Sequence, residues 1–132
     1  MTLGTRTGPA QAVGQLSDAF TARDLEAALA CFVPDDEVGY AGSERMETAA
    51  GRQALRVLLG EVFGRDEAYG WQPTTVTVHE YGSSAYVFAE AQGFVRLDSG
   101  ARETFAYRVS GLVELVDGRW LWRHCQGSEP SG

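Results

Sequence analysis

The residues best suited to chemistry lie near the end of the chain, in the segment RWLWRHCQGS. Trp122, His124 and Gln126 are spaced two residues apart, and on a β-strand this spacing predicts that they share one face. The reference pKa of an imidazole is about 6.5, so His124 could act as a general acid or base, or donate a hydrogen bond to a ligand. The structural alternative is a buried histidine that a neighbouring polar group satisfies.

Aromatic side chains provide candidate walls for a pocket, because ligand sites are mostly apolar with a few polar groups. Trp120 is better explained as a core residue, whereas the hydroxyls of Tyr40 and Tyr107 each need a partner if they are buried. We therefore predict an apolar pocket beside His124. The expected ligand-binding residues are Trp71, Tyr107, Trp122 and Gln126.

Metal and cofactor sites are not expected from this sequence. The only histidine besides His124 is His79, in an alternating Thr/Val segment that should face solvent, so no histidine pair is available for zinc or non-haem iron. The two cysteines, Cys31 and Cys125, have neither a disulfide-framework nor a metal-ligand spacing. A glycine-rich phosphate loop is also absent, and we predict neither a metal nor a cofactor.

Length and charge narrow the class of protein. A chain of 132 residues with 44% hydrophobic and 22% charged residues predicts one globular domain with its own core. A net charge of −7 disfavours nucleic acid and anionic membranes as partners, since both require a positive surface. Neither a membrane-spanning run nor a secretory signal is recognisable, which predicts a cytoplasmic protein with free thiols.

The first half of the chain has helical periodicity. Val13, Leu16 and Phe20 form the apolar stripe of a first helix, and Asp24 is a suitable N-cap for a second helix that Pro34 should end. A third helix carries its apolar stripe on Leu55, Leu58, Leu59, Val62 and Phe63. Residues 37–41 form a weakly indicated strand. The polar segment GSERMETAAG comes next, and it is either a solvated loop or the border of a cavity mouth.

From Trp71 onward the period changes from helical to two. The predicted strands are 75–80, 85–97, 104–116 and 119–127, the last two joined by an Asp117-Gly118 hairpin turn. Helices followed by a meander of strands predict an α+β fold with the helices packed on one face of a mostly antiparallel sheet. We expect a single domain over residues 10–130 after a flexible tail at residues 1–9.

The order of elements and the terminal motif resemble the NTF2-like superfamily, specifically its SnoaL-like branch. The resemblance rests on FTARDLEAALACFVPDDEV, GRQALRVLL and DGRWLWRHCQGSEP. Members commonly end in G-x-W-x-x-x-H-x-H-x-S. Trp120, His124 and Ser128 match this motif, whereas Gln126 stands where a second histidine is frequent, and Gly111 stands where relatives often have an arginine.

The resemblance implies a cone, in which a strongly curved sheet encloses helices and a cavity on its concave face. Its convex face often forms a homodimer, and we expect the outward residues Tyr86, Phe88, Arg108 and Leu112 to contribute. Aligned with the related ketosteroid isomerases, Tyr40 occupies the catalytic position, and no acid stands at residues 109–111. Steroid isomerisation is therefore disfavoured, and Tyr40 joins His124 as a catalytic candidate.

Two functions remain open at this point. The first is a small-molecule-binding SnoaL-like domain acting as a cofactor-independent enzyme of isomerase, cyclase or hydrolase type. Its substrate would be a hydrophobic, polyketide-like metabolite, with His124 as the acid or base. The alternative is a non-catalytic ligand-binding or oligomerisation module.

Overall fold

The computed structural model describes residues 8–131, so residues 1–7 of the predicted tail lie outside the described part. The helices are α1 (Gln11–Ala22), α2 (Leu25–Ala30) and α3 (Arg52–Phe63). The strands are β1 (Gly39–Ala41), β2 (Thr48–Ala50), β3 (Ala68–Tyr81), β4 (Ser84–Arg96), β5 (Arg102–Val116) and β6 (Arg119–Ser128). Three helices pack on one curved six-stranded sheet, and the predicted α+β fold is confirmed.

The strands form one sheet in the order β2-β1-β6-β5-β4-β3. β1 runs parallel to β6, and every other neighbouring pair is antiparallel. The predicted Asp117-Gly118 hairpin joins β5 to β6, with φ of 51° and 81° at its two residues. Two consecutive positive φ values are the signature of a type I′ turn, whose twist matches that of the flanking strands.

The helices attach to the sheet through apolar stripes and a few buried hydrogen bonds. Val13 and Leu16 of α1 and Leu59 of α3 are fully buried. Ser17 and Trp71 exchange two hydrogen bonds of 2.8 Å, in which the Trp71 N–H donates to the Ser17 Oγ and the Ser17 hydroxyl donates to the Trp71 carbonyl. These bonds tie α1 to the start of β3 and thereby position the Trp71 ring.

Several element boundaries differ from the predictions. α2 ends at Ala30 rather than near Pro34, and its predicted N-cap Asp24 accepts from the Ala27 N–H at 3.1 Å. Residues 48–50 form β2 inside the predicted polar loop, a strand too short to produce an alternating pattern. β3 covers Ala68–Tyr81, whereas the predicted strand covers residues 75–80 alone.

A β-bulge at Arg123 changes the two faces of β6. Val113 pairs with Trp122 and Leu112 pairs with His124, so Arg123 has no partner of its own on β5. One extra residue shifts the inward and outward alternation by one position. Trp122 therefore faces the helices, whereas His124 and every second residue after it face the opposite side of the sheet.

The bulge is fixed by the Arg123 guanidinium on the outer side. It makes two bonds to the Glu114 carboxylate, of 3.0 and 2.7 Å, and one bond of 2.6 Å to Asp35. Its Nη1 also donates to the Glu37 carbonyl at 2.8 Å. Hydrogen bonds with Arg123 and its positive charge lower the pKa of the Glu114 carboxyl. The segment before β1 is thus joined to the sheet.

Candidate functional site

An aromatic cavity lies between the helices and the concave face of the sheet, near the start of β3. Its volume is about 130 Å³. The residues that line it are Phe20, Tyr40, Ser43, Glu44, Glu47, Val62, Arg65, Tyr69, Gly70, Trp71, Phe105, Tyr107 and Glu129. The inner wall is apolar and aromatic, whereas the charged groups come from the loop after β1, the end of α3 and the C-terminal end of β6.

Stacked and tilted rings form the inner wall. The rings of Trp71 and Tyr107 are 5.7 Å apart between centroids with an interplanar angle of 29°, and Phe20 packs on Trp71 at 5.1 Å. The indole N–H of Trp71 donates to the Val13 carbonyl at 3.0 Å, so it is already satisfied. Trp71 therefore offers a ligand its ring surface rather than a hydrogen bond.

Two phenols provide the polar groups of the inner wall. Tyr40 is 6% exposed and Tyr107 is 8% exposed, and their hydroxyls lie near each other. Burial and then the neighbouring Tyr107 raise the pKa of Tyr40 well above its usual value, and burial likewise raises that of Tyr107. A Cβ on Gly127 would overlap the Tyr107 hydroxyl, so the glycine provides room for it. Both phenols are thus neutral at physiological pH.

A carboxylate and a guanidinium stand at the mouth of the cavity. Glu47, whose side chain is 14% exposed, lies 3.3 Å from the Arg65 guanidinium. Its Oε1 accepts from the Glu44 N–H at 3.3 Å, and the Ser43 hydroxyl donates to Glu129 at 3.0 Å. These contacts fold the loop at residues 42–47 over the opening. The loop therefore borders the cavity mouth, which is one of the two arrangements predicted for it.

The predicted site residues divide into two groups. Tyr40, Trp71 and Tyr107 line the cavity together. The predicted positions of His124 and Gln126 in the pocket are wrong: both side chains are exposed, because the bulge at Arg123 turns them to the outer face. The His124 ring instead lies over Gly39 of the neighbouring strand.

The predicted pocket position of Trp122 is wrong for a different reason. Its side chain is fully buried in the core, and its indole N–H donates to the Ala12 carbonyl at 3.1 Å. The small side chains Ala85, Val87 and Ala89 on the inner face of β4 leave no room for a ligand either, since all three are fully buried in the core. The space remains farther along the sheet, where the aromatic rings meet.

The sequence reasoning did not identify Glu47, Arg65 or Phe20 as site residues. Phe20 belongs to the apolar stripe of α1, and this pattern predicts a core residue. A residue of such a stripe near the end of a helix can also border a cavity. Glu47 and Arg65 are brought together from a loop and from the residue after the α3 C-cap, with no local pattern linking them. No feature of the sequence could have paired them.

Other classes of site are not found within residues 8–131. No group of three or more His, Cys, Asp or Glu residues is placed to hold a metal ion in that range. None of the helices in the described part of the chain is both long and apolar enough to cross a bilayer. Cys31 and Cys125 are buried free thiols.

The comparisons with known proteins agree with the architecture. The SnoaL-like domain family matches residues 10–131. The chain belongs to the SnoaL-like domain family. No curated protein matches the sequence. The resemblance that was recognised from the terminal motif and the order of elements is therefore confirmed.

Solved structures with the same fold have low sequence identity to this SnoaL-like protein. An NTF2-like superfamily protein from Salmonella enterica shares 14% identity, with 100% of this chain and 95% of that chain covered and a TM-score of 0.79. A ketosteroid isomerase-like protein from Erwinia carotovora shares 24% (94% and 95% covered, TM-score 0.68). A proposed scytalone dehydratase from Novosphingobium aromaticivorans shares 14% (98% and 87%, TM-score 0.79). At these identities the likeness shows the fold alone.

Proposed function

We propose that this SnoaL-like domain binds a small, mostly apolar molecule in the aromatic cavity, with the hydroxyls of Tyr40 and Tyr107 orienting its polar group. The observation that carries the proposal is the neighbouring pair of neutral, buried phenols in a wall that is otherwise aromatic. Apolar walls with a few convergent polar groups are the usual composition of small-molecule sites. Family membership supports the same class of function.

The volume of the cavity limits the size of the ligand. At about 130 Å³ it is smaller than most drug-sized sites, which exceed about 300 Å³, and close to an engineered cavity of about 150 Å³ that holds benzene. The ligand of this proposal is therefore about one ring in size, rather than the polyketide-like metabolite expected from the family. A larger molecule would require the loop at residues 42–47 to move.

Calorimetric titration with benzyl alcohol, phenol and cyclohexanone tests this proposal. Tyr107→Phe removes one hydroxyl and keeps the ring, so it should weaken binding by about three- to tenfold, the usual value of one hydrogen bond. His124→Ala is the control and should leave the affinity within about twofold, because His124 lies on the outer face. Equal binding by the Tyr107→Phe and wild-type proteins would contradict the proposal, and so would the absence of binding by these compounds and by a charged molecule of similar size.

A second candidate function is cofactor-independent proton transfer, and the position of Glu47 favours it. This carboxylate is mostly buried and lines the same cavity as the phenols. Two neutral phenols could donate hydrogen bonds to a carbonyl oxygen while a carboxylate removes a proton from the adjacent carbon. Exchange of the α-protons of cyclohexanone in D₂O, measured by NMR, should then be accelerated by the wild-type protein and lost in Glu47→Gln.

The proposal also includes the location and the assembly of the protein. A cytoplasmic location is supported by two free thiols, which a reducing compartment maintains. A homodimer through the outer sheet face is supported by Tyr86, which is 43% exposed, and by the half-buried Phe88 and Leu112 beside it.

A further inference from the structure

The cavity lining contains more negatively charged than positively charged side chains. Three carboxylates, those of Glu44, Glu47 and Glu129, line it together with one guanidinium, that of Arg65. The Arg65 Nη1 is already engaged with Glu47 at 3.3 Å. Two negative charges therefore remain in excess at the mouth. An anionic ligand would meet repulsion there, whereas a cation would be attracted.

The aromatic wall also favours a positively charged ligand. Six of the lining residues are aromatic, and ring faces carry partial negative charge that attracts cations within about 6 Å of the ring centroid. At about 130 Å³ the cavity is small, so an occupant lies in contact with this wall. The Trp71 and Tyr107 rings, 5.7 Å apart and close to parallel, form one continuous part of this wall.

We infer that the cavity selects a small organic cation, an alkylammonium or quaternary ammonium group, over neutral and anionic molecules of the same shape. This inference rests on the proposed function, since it names the charge class of the ligand at the same site. It requires both features together: aromatic faces around the occupant, and more carboxylates in the lining than the single arginine neutralises.

Glu47 is the residue that determines this selectivity. Its side chain is 14% exposed, whereas Glu44 and Glu129 are exposed residues at the rim. A charge that is mostly removed from solvent is screened less by water and salt than an exposed charge. Glu47 should therefore contribute more to the attraction of a cation than either rim carboxylate, and Arg65 should oppose it.

Three molecules of nearly equal shape test the selectivity on the 132-residue chain. Choline is cationic, 3,3-dimethyl-1-butanol is neutral and 3,3-dimethylbutanoate is anionic. In calorimetric titrations choline should bind at least about tenfold more tightly than the alcohol, consistent with a desolvated cation–π contact beside a carboxylate. The butanoate should bind more weakly than the alcohol.

Two substitutions at one ion pair separate electrostatics from disruption of the fold. Glu47→Gln removes a negative charge and should weaken choline binding at least about fivefold, while Arg65→Gln removes the opposing positive charge and should tighten it. Both variants break the same ion pair, so structural damage would weaken binding in both. Glu80→Gln, an exposed carboxylate at the far end of β3 from Trp71, is the control and should bind choline like the wild type.

Each outcome decides the inference. Tighter choline binding with opposite effects of the two substitutions supports it. Three results overturn the inference and leave the proposed function standing. The alcohol binds as well as choline, both substitutions weaken choline binding, or only neutral compounds such as benzyl alcohol bind. If neither choline nor any neutral compound binds, both proposals are overturned.

Discussion

At the scale of single residues, burial keeps the two phenols of the cavity neutral. Tyr40 and Tyr107 remain phenols because ionisation inside an aromatic cavity lacks solvation. They can therefore donate hydrogen bonds over the whole physiological range. The imidazole of His124, which the sequence indicated as the acid or base, lies across the sheet from them.

The buried thiols predict a loss of stability at alkaline pH. Burial raises the pKa of Cys31 from 9.0 to about 11, and it also raises that of Cys125. A folded-state pKa above the unfolded value gives stability that is complete below the unfolded pKa and is lost as pH rises through the folded pKa. The free energy of unfolding should thus be level up to about pH 8 and fall between about pH 9 and 11.

Urea unfolding at a series of pH values measures this loss. Each thiol can contribute up to about 1.4 kcal/mol per pH unit, so Cys31→Ala should give a shallower decline than the wild type between pH 9 and 10. Restricting the series to pH 10 and below limits the contribution of the tyrosines, whose unfolded-state pKa lies near 10. Parallel declines in the two proteins would show that Cys31 does not titrate in this way.

At the scale of elements, the bulge in β6 decides which residues face the cavity side. Arg123 holds it with the bidentate contact to Glu114 and the contact to Asp35, and its side chain is 23% exposed. Arg123→Ala should lower the free energy of unfolding by about 1–2 kcal/mol, since the guanidinium makes several charged hydrogen bonds in a partly buried setting.

An exposed arginine away from the sheet provides the control for that substitution. Arg56 of α3 makes a salt bridge of 2.7 Å to Glu26 of α2, and their side chains are 47% and 73% exposed. Exposed single ion pairs contribute little, so Arg56→Ala should leave the free energy of unfolding close to that of the wild type. Equal losses of stability in the two variants, measured by urea unfolding, would show that the bulge network adds nothing beyond an ordinary surface pair.

The docking of α3 is a second element-scale contribution to stability. Leu59 is fully buried in the core, so Leu59→Ala should cost about 2–5 kcal/mol from lost apolar burial and the cavity left behind. Val57, on the same helix, is 54% exposed, and Val57→Ala should change the free energy of unfolding by less than about 0.5 kcal/mol. A loss below about 0.5 kcal/mol for Leu59→Ala in denaturant unfolding would contradict the assignment of the helix face.

Local patterns account for what could be predicted from the sequence. The helical stripe through Leu59 and the Asp117-Gly118 turn depend on neighbours a few residues away, and both are found where expected. The bulge at Arg123 depends instead on packing between strands. Its one trace in the sequence is Gly111, with φ of 152°, where a Cβ would overlap the His124 carbonyl. The Glu47–Arg65 pair left no trace, because it joins two elements that only the fold brings together.

At the scale of the whole molecule, the overall charge and the charge of the cavity mouth have the same sign. The chain carries a net charge of −7, and the lining of the cavity has an excess of carboxylates. A negative surface potential raises the local concentration of cations and lowers that of anions. The long-range field and the short-range contacts of Glu47 thus both favour cations. The field alone does not distinguish cations of different shape.

The outer sheet face carries a cross-strand row that predicts a homodimer. His79 pairs with Tyr86, Tyr86 pairs with Leu112, and Leu112 pairs with His124, so these side chains form one continuous strip on the side away from the helices. Such a mixture of aromatic, aliphatic and polar groups is typical of subunit interfaces. Light scattering after size exclusion should therefore give a mass of twice 14.3 kDa at tens of micromolar.

A charge introduced into the strip tests the face as well as the assembly. Leu112→Glu should dissociate the dimer, because each subunit would bury a negative charge in the interface. Leu115→Glu is the matched control, since Leu115 lies near the end of the same strand and is 43% exposed. It is three residues from Leu112, so its side chain lies on the opposite face of the sheet. It should leave the dimer intact. A wild-type mass of 14.3 kDa, or dissociation by both substitutions, would show that this face does not form the contact.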